Sequence, residues 1–354
     1  MGLRFRRSLK IAPGVKLNLT KTGWGVTVGP KGSHYSVHSS GRRTRTVGLP
    51  GTGLYYQSIS RSSRAPGTIT RGTEHLPASR PVDVAAVIPR PGFFASSAEK
   101  AYHAGLVAYL QGNLPTSITS FERVLAQDSS IVSAHLFAGI AASGLEDAAR
   151  AIGHLEAVVG GARSLPDRYQ QKYLGDPRVV LSLQVKITTA ITARPPFSEL
   201  GATLALAELY QAAGRLSEAI GLLQQVHEAL PDALIRLSLC DLLFEDKDYD
   251  GVVETSTGVA NSSDVDVETL HLRGAAMLAL GHQNAAVEVF RTALAKTAGR
   301  DPALLNAVRY DRAIAYEGLG QRGRARADLE RVYAADPGFE DVQQRLESMA
   351  TASE

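Results

Sequence analysis

The sequence predicts an α+β chain: a small antiparallel β domain, a linker, and an all-α solenoid of paired helices carrying an insertion. Three observations lead there. Apolar residues recur with period two over the first 57 residues and with a period near 3.6 from residue 96 onward. Glycine and proline punctuate the helical part at intervals near 34 residues. Charge is split along the chain: residues 1–73 hold 13 Lys or Arg and no Asp or Glu, so the remainder holds 25 basic and 35 acidic residues.

The length of 354 residues suggests about two domains. A 44% hydrophobic and 21% charged composition excludes a wholly disordered chain. No apolar run reaches the roughly 18 residues needed to span a bilayer. Met1 to Arg7 lacks the apolar core of a signal peptide, and Cys240 is the single cysteine, which excludes an internal disulfide framework or a cysteine metal cluster. The default expectation is a cytoplasmic protein.

In residues 1–57, Leu3, Phe5, Leu9 and Ile11 fall on one strand face, and Val15, Leu17 and Leu19 follow after the Ala12-Pro13-Gly14 turn. Trp24, Val26 and Val28 form the next apolar face. Further strands surround Tyr35 and Val37 and run from Thr44 to Leu49, each preceded by a glycine turn. The spacing predicts an antiparallel meander. A sheet this small buries little apolar surface, so it should dock, self-associate or borrow stability from a neighbour. Its polar face is expected to carry Arg4, Arg6, Lys10, Lys16, Arg42, Arg43 and Arg45 as a site for an anionic partner. That partner could be an acidic protein surface (the chain's own helical part included), nucleic acid or an anionic membrane surface.

Gly2 to Arg7, Lys10 to Leu19, and Thr46-Val47-Gly48-Leu49-Pro50-Gly51-Thr52-Gly53-Leu54 together resemble the bacterial domain of unknown function family 4236 over about residues 1–57. The resemblance implies a bacterial source and a β-rich fold and brings no activity. Gly48, Gly51 and Gly53 lack the Lys-Ser/Thr and helix start of a phosphate loop. His34 and His38 have no third ligand type nearby. Trp24, Tyr35, Tyr55 and Tyr56 could stack bases, or supply the small core.

Residues 58–95 hold five prolines and many serines, and Ser58 to Ser63 and Arg64 to Gly67 read as flexible chain. Val82 to Ile88 is apolar enough to pack on a neighbour. Ser96-Ser97-Ala98-Glu99 is a capping box that starts the helical part, which spans 96–350.

Close packing of paired helices asks for small residues at repeat positions 8 and 20, larger ones at 11 and 24, a turn residue at 15 and a proline at 32. The unit starting near Leu200 has Ala207, Tyr210, Gly214, Ala219, Leu223 and Pro231 there, and the unit starting near Asn306 has Ala313, Tyr316, Gly320, Ala325, Leu329 and Pro337. Partial copies start near Ala98, Val132, Ala233 and Val267, and Glu340 to Met349 would cap the array. In this register the helical part resembles the tetratricopeptide repeat (TPR) proteins over residues 98–340. Residues 165–199 break the register. Val179, Leu181, Leu183, Val185 and Ile187 alternate with other residues, as in a β-hairpin returning through Ala190 to Arg194; an irregular helix pair is the alternative.

The TPR resemblance implies a groove lined by positions 2, 5, 9 and 12. On that basis the candidate partner-binding residues are Tyr102, Leu106, Tyr109, Leu204, Glu208, Gln211, Asp241, Phe244, Glu245, His271, Tyr310, Asp311 and Glu317. The groove lacks the Lys, Arg and Asn of carboxylate-clamp adaptors. Its apolar patches and acids suit a basic or amphipathic protein segment, for which the N-terminal module is one candidate, through self-association in cis or in trans.

No catalytic constellation stands out, and no cofactor is implied. Ser97 and Lys100 lack the companions of a Ser-x-x-Lys pair and serve a helix start, Cys240 falls at a core position, and His154, His227 and His282 are isolated. The expectation is a non-catalytic interaction scaffold, with a nucleic-acid-associated factor or a peripheral membrane binder as alternatives.

Overall fold

The computed structural model describes residues 88–161, 164–176 and 181–351, and the backbone of strands within residues 6–61. These strands are β1 (Arg6–Ala12), β2 (Val15–Thr20), β3 (Gly23–Val28), β4 (Ser33–His38), β5 (Arg42–Gly48) and β6 (Tyr55–Arg61). They pair antiparallel in sequence order, which is the meander that the glycine-spaced alternation predicts.

One detail differs from expectation. Ser58 to Arg61 belongs to β6 and not to flexible chain, because the whole of β5 pairs with it, from Gly48 opposite Tyr55 to Arg42 opposite Arg61. The pairing register places the basic positions along the strands. Lys10 stands opposite Lys16, in the row that continues through Thr27, Ser36 and Thr44, whereas Arg43 stands opposite Val37 and Arg45 opposite Tyr35. Arg4 and residues 62–87, which include most of the expected linker, lie outside the described residues.

The helical part begins with α1 (Ser97–Leu110), α2 (Leu114–Gln127), α3 (Val132–Ser143), α4 (Ala148–Val159) and α5 (Arg168–Leu174). The two-residue strands β7 (Val185–Lys186) and β8 (Thr192–Ala193) follow. Next come α6 (Glu199–Ala212), α7 (Leu216–Ala229), α8 (Ala233–Glu245), α9 (Tyr249–Thr255), α10 (Asp264–Ala279) and α11 (Gln283–Ala293). The chain closes with α12 (Pro302–Gly318), α13 (Arg322–Ala335) and α14 (Val342–Thr351). Every expected repeat is a helix pair, and α14 is the expected cap. The chain divides into two compact units, residues 1–184 with 194–205, and residues 185–193 with 206–354.

Local chemistry sets the helix starts. Ser96 accepts from the Glu99 amide at 3.1 Å, and Asn113, Asp147, Asp167, Asp232, Asp248, Ser263 and Asp301 accept at the starts of α2, α4, α5, α8, α9, α10 and α12. The turn at repeat position 15 takes a left-handed backbone in all six pairs. Gly112, Gly214, Gly281 and Gly320 supply it in four, while Glu146 (φ 61°) and Lys247 (φ 65°) adopt it in the two degenerate pairs.

Position 8 is small because its partner helix crosses there. A Cβ on Gly274 would overlap the ring of Phe290, and one on Gly139 would stand 2.9 Å from Leu155 Cγ. Cys240 occupies the same position and is buried, which pushes its thiol up to about 12. In the second unit, Val267, Leu270, Ala286, Phe290, Leu304 and Val308 form one core, and Ala313, Ala325, Leu329, Val332 and Val342 another.

The insertion contains the expected hairpin, shorter than the alternation suggested and preceded by the unexpected helix α5. Val185 pairs with Ala193 and Lys186 with Thr192, and a single bridge joins Ser182 to Pro196. Leu183, Val185 and Ile187 are buried while Gln184 and Lys186 are exposed, so the period-two reading holds for these residues.

Candidate functional site: a groove with a built-in occupant

In the first unit, repeat positions 5, 9 and 12 of the first pair are Tyr102, Leu106 and Tyr109, and all three are fully buried. They offer no surface to a partner, and the insertion packs on both tyrosine rings. Tyr169 and Tyr173 of α5 lie 5.2 and 5.8 Å from the Tyr102 ring, and Phe197 lies 6.1 Å from Tyr109 and stacks on Phe137 at 4.8 Å. Aromatic pairs at these separations add to the area they bury.

Polar contacts fix this cover. Tyr102 and Ser133 hydroxyls meet at 2.9 Å, Asp167 accepts from the Ser133 amide at 2.6 Å, and Gln170 Nε2 donates to the Phe197 carbonyl at 2.7 Å. The Tyr173 hydroxyl donates to Glu99 at 2.8 Å, and Lys172 pairs with the same carboxylate at 2.5 Å, which holds it below the usual carboxylate range. Leu204 is also buried.

In the second unit several of the equivalent positions carry charge. Glu208 is half-buried, and burial raises its carboxyl although the Lys186 backbone amide donates to it. Gln211 donates to Glu245 at 2.5 Å. Asp241 is pushed up to about 7, first by burial and then by the nearby charges of Glu268 and Glu245. Phe244 meets Tyr249 edge to face at 5.3 Å.

His271 sits between two acids. Its Nδ1 is 3.2 Å from Glu268 Oε2 and its Nε2 is 2.7 Å from Asp311 Oδ2. Burial pulls its pKa down, but the hydrogen bonds and charges of the two carboxylates outweigh that and hold it at about 9. Glu268, only 4% exposed, also accepts from the Thr188 hydroxyl at 2.9 Å. Thr188 Oγ1 in turn accepts from the amides of Ala190 and Ile191, closing the hairpin tip. The insertion therefore supplies an extended segment that the carboxylates of α6 and α10 already grip.

Beyond the hairpin tip the face opens into a cleft of about 640 Å³. Thr189 and Ala190 form one wall, α12 supplies Ala303, Leu304, Ala307, Tyr310 and Asp311, and His271, Asp301, Phe339 and Glu340 complete the lining. Tyr310 hydrogen-bonds Asp341, and Arg345 binds Asp341 at 2.8 Å and Glu317 at 2.5 Å, so Glu317 is committed to an internal ion pair. Among the described residues no group of three or more His, Cys, Asp or Glu is placed to hold a metal ion, and no helix is long and apolar enough to cross a membrane.

The groove residues thus separate into a covered set in the first unit and a charged set in the second. Sequence reasoning missed Thr188, Glu268 and Phe339, and also Tyr169, Tyr173 and Phe197. Glu268 had a signal, since it is position 2 of its repeat. The aromatic cover had none, because no local period links it to α1. Arg6, Lys10, Lys16, Arg42, Arg43 and Arg45 lie on β1, β2 and β5.

A family model described as "T7SS, ESX-1 secretion system protein EccA1, N-terminal domain" matches residues 96–350, the entire helical part. The chain belongs to this family. A second model, a protein of unknown function (DUF4236), matches residues 3–57 ahead of the EccA1-type domain. A search of curated proteins found no match.

Among solved structures, the N-terminal domain of the EccA1 ATPase from the ESX-1 secretion system of Mycobacterium tuberculosis shares 16% identity, covering 71% of this chain and 88% of that one, with a TM-score of 0.47. YrrB, described as a TPR protein with an unusual peptide-binding site, shares 12% over 63% of this chain and 96% of that one, at a TM-score of 0.45. A TPR protein from Parabacteroides merdae shares 12% over 72% and 84%, at 0.36. These values are too low to assign a ligand or a partner to the EccA1-type domain of this chain.

Proposed function

We propose that this chain is a non-catalytic protein-binding scaffold, and that the acidic face of its second unit receives a basic or amphipathic protein segment. The observation that carries this reading is the row of carboxylates on first helices of the pairs, Glu208, Asp241, Glu268 and Asp311, set beside an open cleft with an apolar floor. Residues 206–354 hold 24 Asp or Glu against 14 Lys or Arg, so the local field favours a cationic occupant. Membership in a secretion-protein family favours a protein client over nucleic acid at this face. The basic residues 1–73 of a second copy are one such segment.

A photo-crosslinking residue placed at Phe244 or Leu278 of the full chain, both half-buried at position 12 of their repeats, in the cells it comes from, tests the reading. The expected result is protein adducts whose crosslinked peptides are rich in Lys and Arg and whose yield falls as salt rises. Adducts only to nucleic acid or lipid, or none at all, would overturn it. Gel shift and liposome flotation of the full chain measure the two other roles open to the basic N-terminal strands.

A further inference from the structure

The cleft beyond the hairpin tip has a chemistry of its own. Of its apolar lining, Ala303 is exposed and Ala307 and Phe339 are half-buried, a surface that suits the aliphatic stem of a long side chain. Three carboxylates, Asp301, Asp311 and Glu340, stand around it against one cationic imidazole, His271, and neither lysine nor arginine lines it. Asp311 is shared with His271, and Asp301 caps α12 through one oxygen, accepting from the Ala303 and Leu304 amides. Glu340 is exposed and holds a left-handed backbone at φ 43°. A volume of about 640 Å³ fits a few side chains of a peptide.

The neighbouring hairpin shows how this face handles extended chain. Glu208 takes the Lys186 amide and Glu268 takes the Thr188 hydroxyl, so two first helices each contribute one carboxylate to a strand lying against them. The strand then turns back at Thr189 and Ala190, which are exposed and form the cleft wall. The carboxylate row does not stop there; it continues through Asp311 to Glu340.

From this we infer that the cleft is the docking site for an extended, lysine- or arginine-bearing peptide of a partner protein, laid past the hairpin tip. Its cationic heads meet Asp301 and Glu340 beside the His271-bound Asp311, and its aliphatic stems lie on Ala303, Ala307 and Phe339. The inference rests on the scaffold reading above and narrows it to one site and one partner chemistry.

The test uses the full chain and a fluorescein-labelled hexapeptide of alternating leucine and lysine, read by fluorescence anisotropy, with a glutamate-for-lysine peptide as control. Three variants accompany it: Ala303→Trp fills the cleft from an exposed position, Glu340→Lys reverses a rim charge, and Glu330→Lys makes the same charge change on the exposed face of α13. The expected result is salt-sensitive binding of the lysine peptide alone, weakened about tenfold or more by A303W and by E340K, equal to about 1.4 kcal/mol, and barely by E330K. Circular dichroism melts confirm that the variants fold. Two results would overturn the site while leaving the scaffold reading standing: binding untouched by A303W, or weakened as much by E330K as by E340K. Absence of any binding to the unaltered chain would also overturn it, and the scaffold reading then fails separately if the Phe244 and Leu278 crosslinks are empty.

Discussion

The Thr188 hydroxyl at the hairpin tip donates to the buried Glu268 carboxylate on α10 at 2.9 Å, across 80 residues of sequence. The other oxygen of that carboxylate faces His271, whose far nitrogen faces Asp311. A hydroxyl, two acids and one imidazole thus tie the hairpin tip to α10 and α12 within the second unit.

Thr188→Val keeps the shape but deletes that donor and the acceptor for two tip amides. A buried carboxylate left short of a donor costs about 1–3 kcal/mol. Faster hydrogen exchange is expected at residues 189–192 than in the unaltered chain, with the helices unchanged. Unaltered tip protection would show that the hydroxyl does not hold the hairpin.

Stability should fall as pH rises from weakly acidic to alkaline. His271 is held at about 9 against an unfolded value near 6.5, so its contribution is full below about 6.5 and is lost as pH passes through 9. Asp241, pushed up to about 7, adds a loss between about pH 4 and 7, because the unfolded carboxyl ionises first. His271→Gln should flatten the alkaline part of a urea-melt pH series, and Asp241→Asn should stabilise the chain at pH 8 while changing little at pH 4. A flat series in the unaltered chain would refute the assignment.

Glu146 and Lys247 occupy the left-handed turn position that glycine fills in the other four pairs. Glu146→Gly and Lys247→Gly relieve that strain at some cost in unfolded-chain entropy, so each should stabilise by roughly 0.5–1 kcal/mol. Gly214→Ala, at φ 73°, should do the reverse. Thermal melts of the three variants decide the sign.

Gly274→Ala places a methyl where the Phe290 ring lies. Overpacking of this kind typically costs about 1–3 kcal/mol. Phe290→Leu frees space at that contact, so the double variant should recover part of the loss contributed by Gly274→Ala. Strict additivity in a double-mutant cycle would mean that the two positions do not clash.

The repeat register could be read directly along the chain. Small residues at position 8, large ones at 24 and glycine at 15 are needed by neighbours less than 20 residues away, so a 34-residue period records them. The meander was legible for the same reason, since each strand pairs with the next. The periodic pattern also named the charged groove residues of the second unit.

Pairings that carry no local apolar signal, from neighbouring strands to rings almost 90 residues apart, decided the rest. Tyr102, Leu106 and Tyr109 have the spacing of groove residues, yet Tyr169, Tyr173 and Phe197 bury the tyrosine rings, and nothing in the local pattern near residue 102 announces that cover. β6 emerged only through pairing with β5, because Ser58 and Ser60 carry no apolar signal. Periodicity specifies which face of a helix turns inward; what fills the space before that face is settled by packing between distant segments, and there the hairpin tip closes one stretch of the groove and leaves the next one open.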